Sequence, residues 1–242
     1  MKSHFSAIIF SLAIILTAVI LTNAYKNRFS SNDQINVTGL SSRDFVSDLI
    51  VWNGSFTKKS LDLRSAYSRL NEDRDKIKDY LLSKGVKESE LVFSSVDIAK
   101  DFDYSYDRQG NRNSTFTGYR LTQKVQIESR AVNEVESISR EVTELINLGV
   151  EFYSSSPEYY YTKLDELKIE MIAGATENGR VRAERIAENA GADLGNLKSA
   201  KLGVFQIIAQ NSNEDYSWGG SFNTWSKRKT ATITIKLTFG VD

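Results

Sequence analysis

An uncharged apolar run near the N-terminus, residues 5–21, places the strongest constraint on this chain. It reads FSAIIFSLAIILTAVIL. A helix of roughly 20 apolar residues spans the hydrocarbon core of a bilayer. Two interpretations stay open: residues 1–24 form a transmembrane anchor, which the length favours, or a signal peptide cleaved near Thr22-Asn23-Ala24. Both predict membrane contact through residues 5–24 and delivery of the remaining chain across the membrane.

The segments after the apolar run divide into a tether and a domain. Residues 25–33 are polar and short, which is typical of a tether, and residues 34–242 have the length of a globular domain. We therefore expect a cell-envelope protein whose domain lies in the periplasm or on the exterior. The domain stays anchored to the membrane, or is released into the periplasm if the signal is cleaved.

Charge and residue usage exclude several classes of function. Lys plus Arg and Asp plus Glu each total 31, so the net charge is zero and there is no basic footprint for nucleic acid. Cysteine is absent, which excludes disulfides, thiol nucleophiles and thiolate metal sites. The single histidine, His4, precedes the apolar run, so the domain lacks an imidazole for a catalytic triad or a metal. We expect no catalytic residue, cofactor or metal.

Hydrophobic periodicity predicts an α+β fold. Leu63, Leu70, Ile77 and Leu81 recur at helical spacing, and Gly85 suits the position after a helix end. Strands are predicted at residues 34–39, 48–57, 90–106, 117–129, 150–155, 199–210 and 230–240, and helices at 60–84, 132–147 and from 156 or 157 to 190. This order predicts two βαββ-like halves, with long helices packed on antiparallel sheet.

Short motifs dispersed along the domain carry a family resemblance. They are Ile35-Asn36-Val37-Thr38-Gly39, Asp48-Leu49, Lys84-Gly85-Val86, residues 90–96, Gly118-Tyr119-Arg120, Asn147-Leu148-Gly149-Val150, and Ala183-Glu184-Arg185-Ile186-Ala187 followed by Gly191 and Leu194-Gly195. In this order they resemble the SIMPL domain family of exported bacterial proteins, which includes periplasmic and outer-membrane antigens. Ser47 and Ile50 depart from the family, which often has proline and alanine there.

The resemblance has consequences for function. It implies an exported α+β domain that self-assembles, with a role in envelope integrity or oxidative-stress defence. It supplies no catalytic residues.

One acidic pattern and one glycine pattern resemble known binding motifs, but neither has all the residues or the structural context that its motif requires. Asp101, Asp103 and Asp107 resemble a calcium loop, yet the sixth position is Tyr106 and the twelfth is Arg112. We therefore expect an exposed strand that runs into a hairpin tip. Residues 174–179, GATENG, fall inside a predicted helix and so do not form a phosphate loop. Close helix packing is the expected reason for their glycines.

Two aromatic clusters are the candidate contact sites. Residues 159–161, three tyrosines, open the third predicted helix, so at least one should be exposed or packed against a partner. The second cluster lies in a polar loop and consists of Tyr216, Trp218, Phe222 and Trp225. Three interpretations of it stay open: aromatic pairing across an extended hairpin, an oligomer contact, or a ligand contact. Residues 227–229, KRK, are interpreted as a solvated strand edge.

These observations favour a non-enzymatic envelope protein that acts through self-assembly or partner binding, and we expect a homo-oligomer. The four loop aromatics are the predicted partner or oligomer contact. The alternative is a periplasmic module that binds a small molecule or a glycan, whose identity the sequence does not give.

Overall fold

The computed structural model describes residues 11–22, 25, 33–106 and 109–241. Residues 11–22 are helical and exposed. The rest of the predicted membrane segment, residues 5–10 and 23–24, and most of the tether lie outside the described residues, as does Asp107. Among the described residues, no helix combines the length and apolarity needed to cross a membrane.

The domain is α+β, as predicted. Its helices are α1 (Leu63–Ser83), α2 (Val132–Glu141) and α3 (Leu164–Ala190), with 3-10 turns at Glu88–Glu90 and Val142–Leu148. Its strands are β1 (Gln34–Val46), β2 (Leu49–Ser60), β3 (Leu91–Phe93), β4 (Asp97–Tyr106), β5 (Arg112–Ser129), β6 (Phe152–Ser154), β7 (Glu158–Tyr160), β8 (Leu194–Leu202), β9 (Gln206–Ala209), β10 (Ser221–Phe222) and β11 (Arg228–Val241).

The strands form two sheets. Sheet A has the order β1-β11-β9-β10, with β8 also paired to β11. Sheet B has the order β3-β5-β2-β6, with β4 paired to β5 and β7 to β2. All pairs are antiparallel except β9 with β10. The prediction of helices on antiparallel sheet is thereby confirmed.

The two sheets differ from the two consecutive halves that the element order predicted. β1 pairs along its whole length with β11, from Gln34 opposite Gly240 to Val46 opposite Arg228. The first strand therefore joins the sheet built by the end of the chain, and β2 to β7 form sheet B between them. Periodicity along a sequence indicates where strands lie but not which strands pair, because pairing depends on contacts between distant residues.

Sheet B and the helices α1 and α2 enclose one hydrophobic core. Alternate residues of β2 point inward, and Ile50, Trp52 and Phe56 are fully buried. On α1, Leu70, Ile77 and Leu81 face them at helical spacing. The helix begins where Asp62 accepts a hydrogen bond of 2.7 Å from the Ser65 amide, which is N-capping geometry.

Helix α3 packs against sheet A through one face, whose residues are small from Ala175 onward. Its buried positions recur every four residues: Leu167, Met171, Ala175, Gly179, Ala183 and Ala187. A Cβ atom on Gly39 of β1 would lie 2.0 Å from the Ala175 carbonyl oxygen, and one on Gly179 would lie 2.6 Å from Leu237 Cδ1. The backbones of helix and strand therefore touch, which confirms close packing as the reason for Gly179. A Cβ atom on Gly174 would meet only the Ser41 side chain, at 3.3 Å, so the prediction holds less well there.

The predicted start of the third helix is wrong. Tyr159 and Tyr160 lie in strand β7, which pairs with Leu49–Val51 of β2, and the helix begins only at Leu164. Tyr159 is buried, whereas Tyr160 and Tyr161 are half-buried, and the Tyr161 ring lies 4.9 Å from that of Phe45. Aromatic residues favour strands, and an available edge of β2 outweighed the helix-start signal of Pro157.

The predicted strand at residues 199–210 is also divided. Its first part belongs to β8, which starts earlier at Leu194, and its second part is β9. Between them, a Cβ atom on Gly203 would lie 2.7 Å from Thr234 Oγ1, so the chain passes too close to β11 for a larger residue.

Backbone hydrogen bonds surround the corner where β1 turns into β2, and one further bond links sheet B to the segment before β11. Ser47 N–H donates to the Lys227 carbonyl at 2.9 Å, and Asp48 N–H donates to the Tyr160 carbonyl at 3.0 Å. Tyr159 N–H donates to the Thr224 carbonyl at 2.7 Å. The segment between β10 and β11 is therefore attached directly to strand β7 of sheet B.

Candidate functional site

The aromatic loop, residues 211–227, is held in place by buried polar side chains. The Gln206 side chain forms two hydrogen bonds with Ser217: its Nε2 donates to the Ser217 carbonyl at 2.8 Å, and its Oε1 accepts from the Ser217 amide at 3.1 Å. Gln206 is itself buried at the start of β9. One amide side chain thus fixes the middle of the loop to the sheet.

Asn223 fixes the second half of the loop. Its amide N–H donates to the Ile207 carbonyl at 2.9 Å, and its side-chain oxygen accepts from the Ser226 amide at 2.9 Å. Its Nδ2 donates to Glu214, whose other oxygen accepts from the Ala209 amide at 3.2 Å. Buried hydrogen-bonded side chains of this kind rigidify the segment that they join.

The four predicted contact residues are all exposed on this fixed loop. Trp218 is 100% exposed and Trp225 is 70% exposed, and more than half of Tyr216 and of Phe222 is accessible. The loop is not an extended hairpin, because its one strand, β10, has two residues and runs parallel to β9. Of the three interpretations of these aromatics, cross-strand pairing within a hairpin is therefore the one that the fold does not support.

Two grooves flank the loop and divide the aromatic residues between them. The first, about 540 Å³, is lined by Tyr216, Trp218, Val204 and Ile233, with Gln206, Thr232 and Thr234 among its polar residues. The second, about 470 Å³, is lined by Phe222, Phe205 and Leu164. Trp225 lines neither. Tyr216 and Trp218 therefore share one groove and Phe222 lines the other, and the two grooves meet at Gly203 and Val204.

A second exposed aromatic surface was missed in the sequence. We call the end of the β4–β5 hairpin, residues 101–106 and 112–117, the hairpin arm. Phe102, Tyr104 and Tyr106 alternate along β4 and so share one face, where Phe102 contacts Phe116 with ring centroids 5.7 Å apart. The Arg112 guanidinium lies 3.8 Å from the Tyr104 ring centroid. The sequence signal for this face is the alternation of aromatic residues with Asp and Ser along β4.

Asp101 of the arm is engaged in ion pairs with neighbouring strands. Asp101 accepts two hydrogen bonds from the Arg120 guanidinium and forms an ion pair with Lys59 at 2.7 Å. The Arg120 hydrogen bonds, followed by those of Lys59, hold the pKa of the Asp101 carboxyl below its usual range. The prediction of an exposed strand here is confirmed. Within the described ranges, no group of three acidic or histidine side chains is placed to hold a metal ion.

The prediction of a solvated edge at residues 227–229 is wrong for its last member. Lys229 is only 1% exposed, and its Nζ donates to the Tyr159 carbonyl of sheet B. The Phe222 ring centroid lies 5.7 Å from that nitrogen. Burial lowers the pKa of the Lys229 ammonium to about 8. Alternation along β11 turns this side chain inward, toward the junction between the sheets.

Comparison with known proteins agrees with the extent of the domain. The family model described as "SIMPL: Protein of unknown function (DUF541)" matches residues 35–238, which include strands of both sheets. The chain is similar to the 26 kDa periplasmic immunogenic protein of Brucella abortus (strain S19), with 24% identity over 203 residues that cover 81% of this chain and 77% of the relative. It is also similar to the uncharacterized protein YggE of Edwardsiella ictaluri (strain 93-146), with 24% identity over 200 residues that cover 80% of this chain and 77% of that protein.

Proposed function

Because this chain belongs to the SIMPL family, we propose that it is an exported, non-enzymatic cell-envelope protein that assembles with further copies of itself through the aromatic loop. The observation that carries the proposal is the complete exposure of Trp218 on a loop fixed by buried Gln206 and Asn223. The process it serves would be envelope integrity or stress defence, as the family resemblance implies.

The physical argument rests on exposed area and on rigidity. An aromatic side chain buries roughly 150–250 Å² on contact, and tryptophan is enriched at the energetic centres of interfaces. Leaving such side chains in water forfeits that free energy unless a partner covers them. Because the loop is already ordered, association would lose little further conformational entropy, which favours affinity. We choose a second copy of the chain as the partner because self-association requires no other protein in the compartment.

The first prediction concerns the two tryptophans. In the double variant Trp218→Ala/Trp225→Ala, we expect the oligomer to dissociate while the domain stays folded. Truncating one interface tryptophan costs about 2 kcal/mol or more, which is roughly a 30-fold change in Kd. The measurement is the molar mass of residues 26–242 by light scattering over a range of concentrations, with circular dichroism to monitor the fold.

Two control variants make this test specific. Tyr67→Ala removes an exposed aromatic residue from α1 and should leave the mass unchanged. Tyr104→Ser/Tyr106→Ser removes exposed aromatics from the hairpin arm and preserves the Phe102–Phe116 contact. A wild-type protein that stays monomeric at high concentration contradicts assembly. Dissociation of the arm variant alone contradicts the assignment to the loop.

Export is supported by the name of a relative and by the apolar N-terminal run. The Brucella abortus relative is named a periplasmic protein. We expect alkaline phosphatase fused after residue 242 to be active in intact cells, because the enzyme folds only in an oxidising compartment. An inactive fusion at normal expression would contradict export. The intact mass of the membrane-extracted protein then separates a retained anchor from a cleaved signal.

A second candidate function is binding of a small molecule or glycan in the groove beside Trp218. It is supported by the mixture of aromatic residues with Gln206, Thr232 and Thr234 in the groove wall. A ligand present at 100 times its Kd stabilises a protein by about 2.7 kcal/mol, so a thermal-shift screen of envelope sugars and lipids tests this function directly. Unshifted melting curves throughout the screen would argue against it.

A further inference from the structure

The outer face of sheet A, which is the face opposite α3, carries a polar cleft. Along β11, Ile235, Leu237 and Phe239 are buried in the core beneath α3, so the residues between them point outward. A cleft of about 280 Å³ lies on this outer face. We call it the lysine cleft. Its polar side chains come from three adjacent strands: Asn36 and Thr38 of β1, Lys236 and Thr238 of β11, and Ser199 and Lys201 of β8.

Two lysines of the lysine cleft lie directly opposite each other. Lys236 pairs with Lys201 in the antiparallel register of β11 and β8, so both side chains leave the same face of the sheet, with Cβ atoms roughly 5 Å apart. Like charges at directly opposite positions destabilise a sheet. An anion held between the two ammonium groups reverses this effect, because each ammonium then has a charged acceptor.

A β-bulge directs a third lysine to the same face. The register of β8 against β11 shifts after the pair formed by Thr238 and Ser199, and Lys198 is left without an opposite residue. A Cβ atom on Gly240 would lie 2.9 Å from Lys198 Cε and 3.6 Å from its Nζ, so the lysine side chain lies over β11 beyond Thr238. Bulges re-aim side chains in this way, often next to functional sites.

The lysine cleft has no counter-charge of its own. In the part of the chain that the structure describes, none of its three lysines forms an ion pair and no carboxylate lines it. Asp44 shares the outer face, but it lies at the other end of β1, where it accepts hydrogen bonds of 2.6 Å from Thr230 and 2.8 Å from Gln210. The cleft is therefore a local positive site on a chain whose net charge is zero.

The neutral side chains of the cleft favour a ligand that is rich in hydroxyl groups. Thr238 Oγ1 donates to Asn36 Oδ1 at 2.7 Å, so the Asn36 amino group and the Thr238 oxygen stay available to a ligand. Thr38 and Ser199 supply two further hydroxyls. Neutral donors and acceptors beside paired cations match an acidic sugar, which has hydroxyls next to its carboxylate.

We propose that the lysine cleft binds an acidic polysaccharide, with a sugar carboxylate between Lys201 and Lys236 and the neighbouring sugar hydroxyls on the polar side chains of β1. The outward row of β11 continues from Thr238 to Thr232 in the wall of the groove beside Trp218, over roughly 20 Å. A chain of several sugars therefore has a continuous surface to lie on. The proposal goes beyond assembly, and it requires neither a second copy nor a ligand at Trp218.

The test is calorimetric titration of the full chain in a mild detergent with polygalacturonate. The references are polyglutamate, which has carboxylates without sugar hydroxyls, and dextran, which is a neutral glucan. Polygalacturonate should bind most tightly, and sodium chloride should weaken its binding because exposed charge contacts are screened. Equal affinity for polyglutamate would mean that charge alone attracts the ligand. That result, or tighter binding of a single-stranded oligonucleotide, would overturn the proposal.

The double variant Lys201→Gln/Lys236→Gln locates the site. Its affinity for polygalacturonate should be roughly tenfold lower, since two exposed charge contacts are lost. Without ligand it should melt at the temperature of the wild type or slightly higher, because the opposed like charges are removed. Lys100→Gln/Lys124→Gln removes the same charge from exposed positions of sheet B and should leave the Kd unchanged. An equal loss of affinity in the two double variants would contradict a site in the lysine cleft.

The aromatic loop provides the separation from the assembly proposal. Introducing Lys201→Gln/Lys236→Gln into the Trp218→Ala/Trp225→Ala protein should cause the same loss of affinity as in the wild type. A loss that disappears in this background would place the binding at the loop instead of the lysine cleft. A wild-type protein that stays monomeric contradicts assembly but leaves this expected result unchanged.

Discussion

Gly39→Ala is expected to destabilise the domain by roughly 3 to 5 kcal/mol, enough to unfold a typical domain of marginal stability. The new Cβ atom would lie 2.0 Å from the Ala175 carbonyl oxygen and 2.8 Å from the Gly179 nitrogen. Both are backbone atoms, so no side-chain rotation relieves the overlap. Helix α3 must move away from β1, and Met171, Ala175 and their neighbours then lose contact with sheet A.

The measurement is urea unfolding of residues 26–242, followed by circular dichroism and by tryptophan fluorescence. Trp52 is fully buried in the core of sheet B, so its emission reports that core, whereas helical ellipticity also reports α3. If the two signals change together in Gly39→Ala, the two cores unfold as one unit. If the fluorescence changes at a higher urea concentration than the helical ellipticity, sheet B is stable without α3.

Gly174→Ala is the matched control in the same helix. The added Cβ atom would lie 3.3 Å from Ser41 Oγ, which belongs to a side chain and has room to rotate. Alanine is favoured over glycine inside a helix by about 1 kcal/mol. We therefore expect unchanged or slightly higher stability. A Gly39→Ala protein with the unfolding midpoint of the wild type would contradict the close contact of α3 with β1.

Local signals in the sequence were sufficient to predict the three helices and the ends of α1 and α3, but not the start of α3. The apolar spacing of α1 and its stop at Gly85, and the end of α3 at Gly191, follow from rules that involve only neighbouring residues. A polar, aromatic-rich loop between the last two strands was predicted in the same way, but whether its aromatic residues pair across strands or contact a partner or ligand stayed open. The family resemblance was confirmed by the family model, whose match to residues 35–238 includes all three helices.

The features that sequence reasoning missed depend on contacts between distant residues. β1 pairs with β11, at the other end of the domain, and Tyr159 and Tyr160 join β2 instead of opening a helix. Burial of Lys229 required knowledge of which face of β11 meets sheet B. For the hairpin arm, the exposed strand was predicted but its aromatic face was not. The acidic residues were compared with a calcium loop, and the alternating aromatic residues between them were not interpreted.

Lys229→Met is expected to abolish a rise in stability with pH that the wild type shows between about pH 8 and pH 10.5. The pKa of Lys229 is about 8 in the folded protein, against an ordinary value of 10.5. Between these values the unfolded chain binds more protons, so the free energy of unfolding rises with pH. Below pH 8 the buried charge destabilises the fold fully, by roughly 3 kcal/mol.

The quantity to measure is the difference in unfolding free energy between wild type and variant from pH 7 to pH 10.5. Tyrosine ionisation also acts in this range, because burial raises the pKa of Tyr80 and of Tyr159, but it contributes equally to both proteins and cancels. Lys201→Met, at an exposed position of β8, should show no such difference. A constant difference for Lys229→Met would mean that the hydrogen bond to the Tyr159 carbonyl fully compensates the charge.

Phe222→Ala connects this buried charge to the aromatic loop. The Phe222 ring centroid lies 5.7 Å from the ammonium, so we expect removal of the ring to admit water, to raise the pKa of Lys229 toward 10.5 and to flatten the pH dependence. Trp218→Ala should not, because Trp218 lines the other groove. If both variants leave the pH dependence intact, the main chain and β11 alone enclose Lys229. If only Phe222→Ala flattens it, Phe222 serves the interior of the fold, and Trp218 and Trp225 remain as the residues available to a partner.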